Sequence, residues 1–306
     1  MGKRINVNII ICTYNRAASL DKALDSITHI ESPKDTITEI ILVNNNSQDN
    51  TEKIVEKYQN RPFTIKNVFE EKQGLSHARN RGTGESRGKY IAFIDDDALA
   101  DRKWIVALHE TFQRYGCDGI GGRIYLKPVR KLPGWLTKDL WGFLACLDYG
   151  DQPFQIDRRQ FIYGTNMAFP REIFNKVGYF NTELGRTGYM PIGGEETELL
   201  GRILSCGGKV YYQPKAEVYH IIDEYKLRKQ YFRRLHYYEG HSSGKAYDMG
   251  IKSNLCGIPL FMFPQLMRSL LRYLTNPTLR MQMNVCWFLG FMKGRMMDYK
   301  SKFNAC

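Results

Sequence analysis

KYIAFIDDDA, residues 89–98, sets an apolar strand pattern from Tyr90 to Ile94 directly against three consecutive carboxylates, Asp95, Asp96 and Asp97. On either side of it, from residue 5 to about 125, short β-branched runs alternate with helical patterns: INVNIIIC, ASLDKALDSI, EIILV, TEKIVEKYQ, FTIKNVF, SHARNRGTGES, and finally KWIVALHETFQRY. This alternation predicts an α/β fold, a mostly parallel central sheet flanked by helices. Ligands of such sheets bind beyond the carboxyl ends of the strands, near a topological switch point, so the polar turns after the strands are where chemistry belongs. They read Thr13-Tyr14-Asn15-Arg16, Asn44-Asn45-Asn46-Ser47 and Asp95-Asp96-Asp97.

Three adjacent carboxylates repel one another at neutral pH, and a hard divalent cation such as Mg²⁺ or Mn²⁺ is the natural compensation. An ion held there can also grip a pyrophosphate and neutralise a departing diphosphate. The plainer reading is a cap for the helix beginning near Arg102, for which one Asp would suffice. In the first turn, Cys12, Thr13, Tyr14 and Asn15, with Asn44 after the second strand, offer groups for a base and ribose: Tyr14 can stack and Arg16 can reach phosphate. Asn and Thr are also ordinary turn formers. Arg79 in GLSHARNRG, residues 74–82, can cross the sheet edge to a phosphate, or simply lie on a solvated helix face.

Later in the chain, Glu196, Leu199, Leu200, Ile203 and Leu204 have the spacing of an amphipathic helix, opened by Gly193-Gly194 and closed by Gly207-Gly208. A carboxylate at that opening, Glu195 or Glu196, can take a proton from an attacking hydroxyl, or only complement the helix dipole. His220 ends a strand pattern and can complete a metal's shell. The stretch from Arg123 to about Gln160 reads as an irregular loop or lid carrying Trp135 and Trp141, and a strand pattern from Phe161 to Phe169 follows it.

At 306 residues with 43% apolar side chains the chain can build a proper core, and its net charge of +12 attracts phosphate-rich partners. Seven cysteines without CxxC spacing read as reduced thiols and favour a cytoplasmic home. The N-terminus carries no signal-peptide pattern, and no run of about 18 apolar residues predicts a spanning helix. Near residue 223 the character changes: Lys226 to Tyr247 is basic, tyrosine-rich and helical, and Leu255 to Arg295 is rich in Leu, Met and Phe punctuated by arginines. The expected division is therefore a domain over 1–222, with a nucleotide half to about 125 and an acceptor half after it, and a helical appendage over 223–306. Pro259 and Pro264 argue against one long helix across the appendage. Its apolar stripe suits an anionic membrane interface, internal packing or a homo-oligomer contact.

Four ordered blocks, IIICTYNR, ILVNNNSQDNT, GLSHARNRG with KYIAFIDDDA, and YGTNMAF with GGEETELLGRILSCGGKVYYQPKAEVYH, together resemble the family 2 glycosyltransferases of the GT-A (Rossmann-like) fold from about Val7 to His220. The resemblance implies a nucleoside-diphosphate-sugar donor and a single displacement that inverts the anomeric centre. It also implies Mn²⁺ or Mg²⁺ on the acidic turn, with Asp97 the usual ligand, Asp95 and His220 beside it. By position Cys12, Thr13, Tyr14, Asn15 and Asn44 would face the nucleoside, and Arg16, Arg79, Asp95 and Asp96 the ribose and phosphates. Glu196, or its neighbour Glu195, would be the general base, while Trp135, Thr165 and Asn166 are candidate acceptor contacts. Asn44 stands where the family commonly has an acid, which keeps UDP-sugars favoured but GDP- and dTDP-sugars open. Expected partners are the donor and a glycan or lipid-linked acceptor, with the protein peripheral on the inner face of the cell membrane.

Two rivals compete with this reading. A nucleotidyltransferase would carry a Gly-rich loop after the first strand, and CTYNRAASL has no glycine. A nucleic-acid-binding module would suit the basic, aromatic segment 228–234, but the acidic turn would repel phosphate unless a metal bridged it.

Overall fold

In a computed structural model of the chain the described residues are 5–34, 36–59, 63–188, 193–246 and 254–303. They fall into two compact units, Met1–Gly188 with Gly194–Asp223, and Tyr189–Gly193 with Glu224–Cys306. The first unit runs β1 (Ile5–Thr13), α1 (Ala17–Thr28), β2 (Ile37–Asn44), α2 (Thr51–Tyr58), β3 (Thr64–Phe69), α3 (Leu75–Glu85) and β4 (Tyr90–Ile94). It continues with β5 (Ala98–Ala100), α4 (Trp104–Tyr115), β6 (Gly119–Pro128), β7 (Phe154–Gln155), β8 (Asn166–Pro170), α5 (Ile173–Val177), α6 (Glu195–Ser205) and β9 (Val210–Ile222).

These strands form one sheet in the order β3-β2-β1-β4-β8-β6-β9-β5, with β7 beside β9. β1 to β4 pair in parallel, β8 runs antiparallel between β4 and β6, and β6 and β9 are parallel again. Strands buried on both faces must be apolar at every position, and β1 shows why. Ile9 and Ile11 join Leu20, Leu24, Trp104 and Leu108 in one core, whereas Ile10 joins Phe93, Phe169 and Leu199 on the opposite face. Gly82 lets α3 lie close on β1 and β2, since a Cβ there would press into Ile10 and Val43.

Two expectations need correction. The strand expected over Phe161–Phe169 starts only at Asn166, because the chain turns at Gly164 and Thr165, the Asn166 N–H donating back to the Tyr163 carbonyl at 3.0 Å. The stretch expected to be a lid is anchored: β6 extends to Pro128, Leu136, Leu140, Leu144 and Leu147 are buried, and Arg123 binds Asp151 (2.6 Å), Asp148 (3.1 Å) and the Gly150 carbonyl (2.6 Å). Trp135 and Trp141 are half-buried.

The second unit holds α7 (Lys229–Ala246), β10 (Asn254–Leu255), β11 (Ile258–Pro259), α8 (Met262–Thr275) and α9 (Leu279–Phe303). The expected basic helix reached Tyr247, which lies outside the described residues. Pro264 sits in the first turn of α8, where a missing N–H costs nothing, so the apolar stretch forms a 14-residue helix from Met262 that carries the proline at its start. α7 and α9 meet through glycines. Gly240 and Gly244 face the carbonyls of Trp287 and Phe291, Gly290 and Gly294 face those of Tyr237 and His241, and a Cβ on any of the four would overlap the opposing backbone.

Candidate active site

The acidic turn falls between β4 and β5, and sheet register decides what stands beside it. β5 pairs antiparallel with β9 so that Ala98 lies opposite His220, and the Ile221 N–H donates to the Asp97 carbonyl at 2.7 Å. The imidazole is thereby delivered to the carboxylate, with His220 Nε2 3.3 Å from Asp97 Oδ1. His220 Nδ1 lies 2.7 Å from the Leu144 carbonyl, which can only accept, so Nδ1 carries a proton and the ring is fixed with Nε2 toward Asp97. An imidazole nitrogen and a carboxylate oxygen brought together in this way are residue types that could hold a divalent cation. Arg16 lies on the other oxygen of Asp97 and 3.5 Å from Asp96, supplying positive charge at the same place.

The turn is not a helix cap. Helix α4 carries no side-chain cap at all, and Asp101 only closes the turn ahead of it, accepting from the Lys103 N–H at 2.8 Å. The three acids instead divide their partners: Asp96, buried, accepts from Thr13 at 2.7 Å, and burial against the pull of Arg16 raises its carboxyl to about 7. Asp95 accepts from Thr165 at 2.6 Å and pairs with Arg79 at 3.3 Å. Among the described residues no three His, Cys, Asp or Glu side chains stand together as a ready ligand cluster. The structure thus joins Asp97 with His220 and gives Asp95 other partners.

Arg79 is the hinge of the site. Only 3% exposed, its guanidinium spans from Asp95 to Glu195, which it meets at 2.6 Å across 116 residues of sequence. Burial alone would lower its pKa, but Glu195 and Asp95 push it up. Gly164 makes the space, since a Cβ there would overlap the guanidinium. Arg79 therefore binds carboxylates of its own chain, a pairing that sequence spacing did not reveal. Burial likewise pushes the nearby Cys12 thiol to about 12, keeping it neutral.

α6 opens on Gly194, at φ 102°, and puts Glu195 and Glu196 in its first turn. Glu195 commits Oε1 to Arg79. Glu196 is raised to about 7 by burial and by the charge of Glu195, partly opposed by Arg79, and its buried Oε2, like Glu195 Oε2, has no hydrogen-bond partner among the described residues. Such a carboxylate is poised to accept a proton near neutral pH.

Other expected contacts prove to be braces. Asn44 is buried, its amide donating to Glu52 at 3.0 Å and accepting from Ser47 N–H at 2.9 Å, so it stiffens its turn. Thr13 is 2% exposed and held by Asp96. Asn15, at φ 52°, ties the first turn to the second through Ser47 and Gln48, while Tyr14 stays half-exposed. Asn166 is fully buried and spends its side chain on Trp104, the Arg123 carbonyl and the Ala216 carbonyl, which removes it from the acceptor contacts.

The sheet order, the acidic turn at its carboxyl edge and the glutamate-led helix are those of a GT-A glycosyltransferase. The glycosyl transferase family 2 profile matches residues 8–178, and the chain belongs to that family. It is 24% identical over 242 residues to the glucosyl-dolichyl phosphate glucuronosyltransferase of Haloferax volcanii, covering 78% of this chain and 76% of that protein. It is 25% identical over 247 residues to the succinoglycan biosynthesis protein ExoM of Rhizobium meliloti, covering 80% and 76%. Its fold is similar to that of a Pyrobaculum calidifontis mannosyltransferase solved with GDP-Man and Mn²⁺, at a TM-score of 0.63 and 17% identity over 95% of this chain and 87% of the other.

Proposed function

We propose that the chain is an inverting, metal-dependent glycosyltransferase that moves a sugar from a nucleoside-diphosphate donor to an acceptor hydroxyl in polysaccharide or glycoconjugate assembly. The observation that carries this reading is the Asp95–Arg79–Glu195 bridge, which draws the acidic turn and the carboxylates opening α6 into one site. Glu196 takes the proton of the acceptor hydroxyl as its oxygen attacks the anomeric carbon. The bond to the diphosphate breaks on the opposite face, so configuration inverts and the leaving group carries away the electron pair. Glu195 is the poorer base because one of its oxygens already holds Arg79.

Asp97 and His220, with Asp95, are the residues that would hold Mn²⁺ or Mg²⁺. Such an ion, when bound, offsets the charge of the departing diphosphate. Tyr14 and Cys12 are offered to the nucleoside, with a UDP-sugar favoured and GDP- and dTDP-sugars open, and Trp135 and Thr165 remain on the acceptor side. Similarity to a protein named for a dolichyl phosphate substrate supports a glycan or lipid-linked acceptor. We place the enzyme in the cytoplasm, peripheral on the inner face of the cell membrane; the described cysteines are all free, which fits that compartment.

The reading is tested by incubating the protein with nucleoside-diphosphate sugars and Mn²⁺ and recording released nucleoside diphosphate and the anomeric configuration of the product by NMR. Release that EDTA abolishes, with a product of opposite configuration, is expected. Turnover indifferent to EDTA, or a retained anomer, overturns it.

A further inference from the structure

Large exposed apolar side chains are not spread evenly over this molecule. Of fifteen among the described residues, eleven belong to the helical unit. α8 concentrates them. Its inner side buries Met262 and Ser269, and Phe263 packs with Ile258 and Phe291. Its outer side presents Met267, Leu271 and Leu274 at i, i+4 and i+7, exposed to 55%, 57% and 75%, and Leu260 and Phe261 lie exposed just before the helix. Arg268 and Arg272, both exposed, flank that ridge one residue along.

Burying this ridge would remove it from water, and charge selects what buries it. From residue 224 onward the chain carries 14 Lys and Arg against 4 Asp and Glu, so +10 of the net +12 belongs to this part. A second copy docking through the same patch would set one arginine-flanked ridge against another, an isologous contact that gathers like charges and supplies no acid to pair them. An anionic lipid surface satisfies both features at once, accepting apolar side chains below the headgroups and cations among them. We infer that α8 is a membrane-docking helix, inserting Met267, Leu271 and Leu274 into an anionic bilayer surface while Arg268 and Arg272 meet its phosphates.

This deepens the membrane part of the proposed function, and its test reads no sugar transfer. Flotation of the full chain with phosphatidylcholine vesicles, with and without phosphatidylglycerol, measures partitioning at low and high salt. The wild type is expected to float with the anionic vesicles at low salt. Leu271→Glu with Leu274→Glu should weaken partitioning on the order of 100-fold, and Arg268→Gln with Arg272→Gln about tenfold on anionic vesicles alone. Leu271→Asn with Leu274→Asn gives the same loss without adding charge, and the melting transition of each variant checks that it folds. A wild type that stays unbound at low salt, or an Asn variant that floats as well as wild type, overturns the inference. So does a wild-type dimer that the Asn variant turns into monomer without loss of vesicle binding. Failure in any arm leaves the transferase reading intact, and failure of transfer in solution leaves the docking face intact.

Discussion

The two units of this protein handle charge in opposite ways. Of the chain's 44 basic and 32 acidic residues, 14 and 4 fall from residue 224 onward, which leaves 30 and 28 in the part before it. The catalytic unit is near balance and buries part of its charge in pairs, Arg79 with Glu195 and Arg16 against Asp97, while the buried Arg123 reaches out to the exposed Asp151. The helical unit carries an excess of basic side chains, most of those described lying at its surface, and closes its centre with glycines. Buried charge costs stability unless paired, so a fold accepts it where chemistry gains from it; backbone contact through glycine costs only chain entropy and leaves side chains for the surface.

The sharpest way to break this contrast is at the acidic turn. Asp97→Asn should reduce metal-dependent turnover to background while circular dichroism stays native, because the loss is of a ligand and not of packing. Full activity would remove Asp97 from the site. The next effect in size concerns Arg79. Arg79→Met leaves Glu195 and Asp95 without their shared cation and should cost about 3–5 kcal/mol in urea unfolding. A loss below about 1 kcal/mol would mean that the bridge does not hold the site together.

A smaller effect tests the other unit. Gly290→Ala puts a Cβ against the Tyr237 carbonyl and should destabilise the α7–α9 pair by about 1–3 kcal/mol, read by hydrogen exchange in those helices. The thermal shift that the proposed function predicts for UDP with Mn²⁺ should be the same in this variant as in the wild type. Unchanged protection in α7 and α9 would show that their close approach is dispensable.

The strand–helix alternation, the acidic turn and the glutamate-led helix were legible because each is local, a matter of period, turn chemistry or helix start. Arg79 and Glu195 were visible as residues but not as a pair, since an ion pair across 116 residues leaves no trace in spacing. The structural hydrogen bonds of Asn44 and Asn166 were hidden for a related reason. An amide in a polar block looks the same whether it faces a ligand or braces a turn, and only burial separates the two. The glycines of α7 and α9 did leave a signal, Gly240 and Gly244 repeating the four-residue spacing of Gly290 and Gly294, a pattern that permits close helix approach.

Single-turnover transfer, measured against pH in wild type, Glu196→Gln and Glu195→Gln, bears most directly on the proposed chemistry. Burial and Glu195 raise Glu196 to about 7, so below that pH the carboxyl is protonated and cannot act as base. The wild-type rate should therefore climb about tenfold per pH unit toward 7 and level off above it. The same raised pKa means that the folded chain holds a proton the unfolded chain has released, so this group's contribution to stability falls as pH rises from the ordinary carboxyl value of 4.5 toward 7. Glu196→Gln should still bind donor, lose about 10²–10⁴-fold in rate and lose the pH dependence. A Glu196→Gln enzyme of nearly normal rate, with Glu195→Gln crippled, would contradict the assignment and move the base to the neighbouring carboxylate.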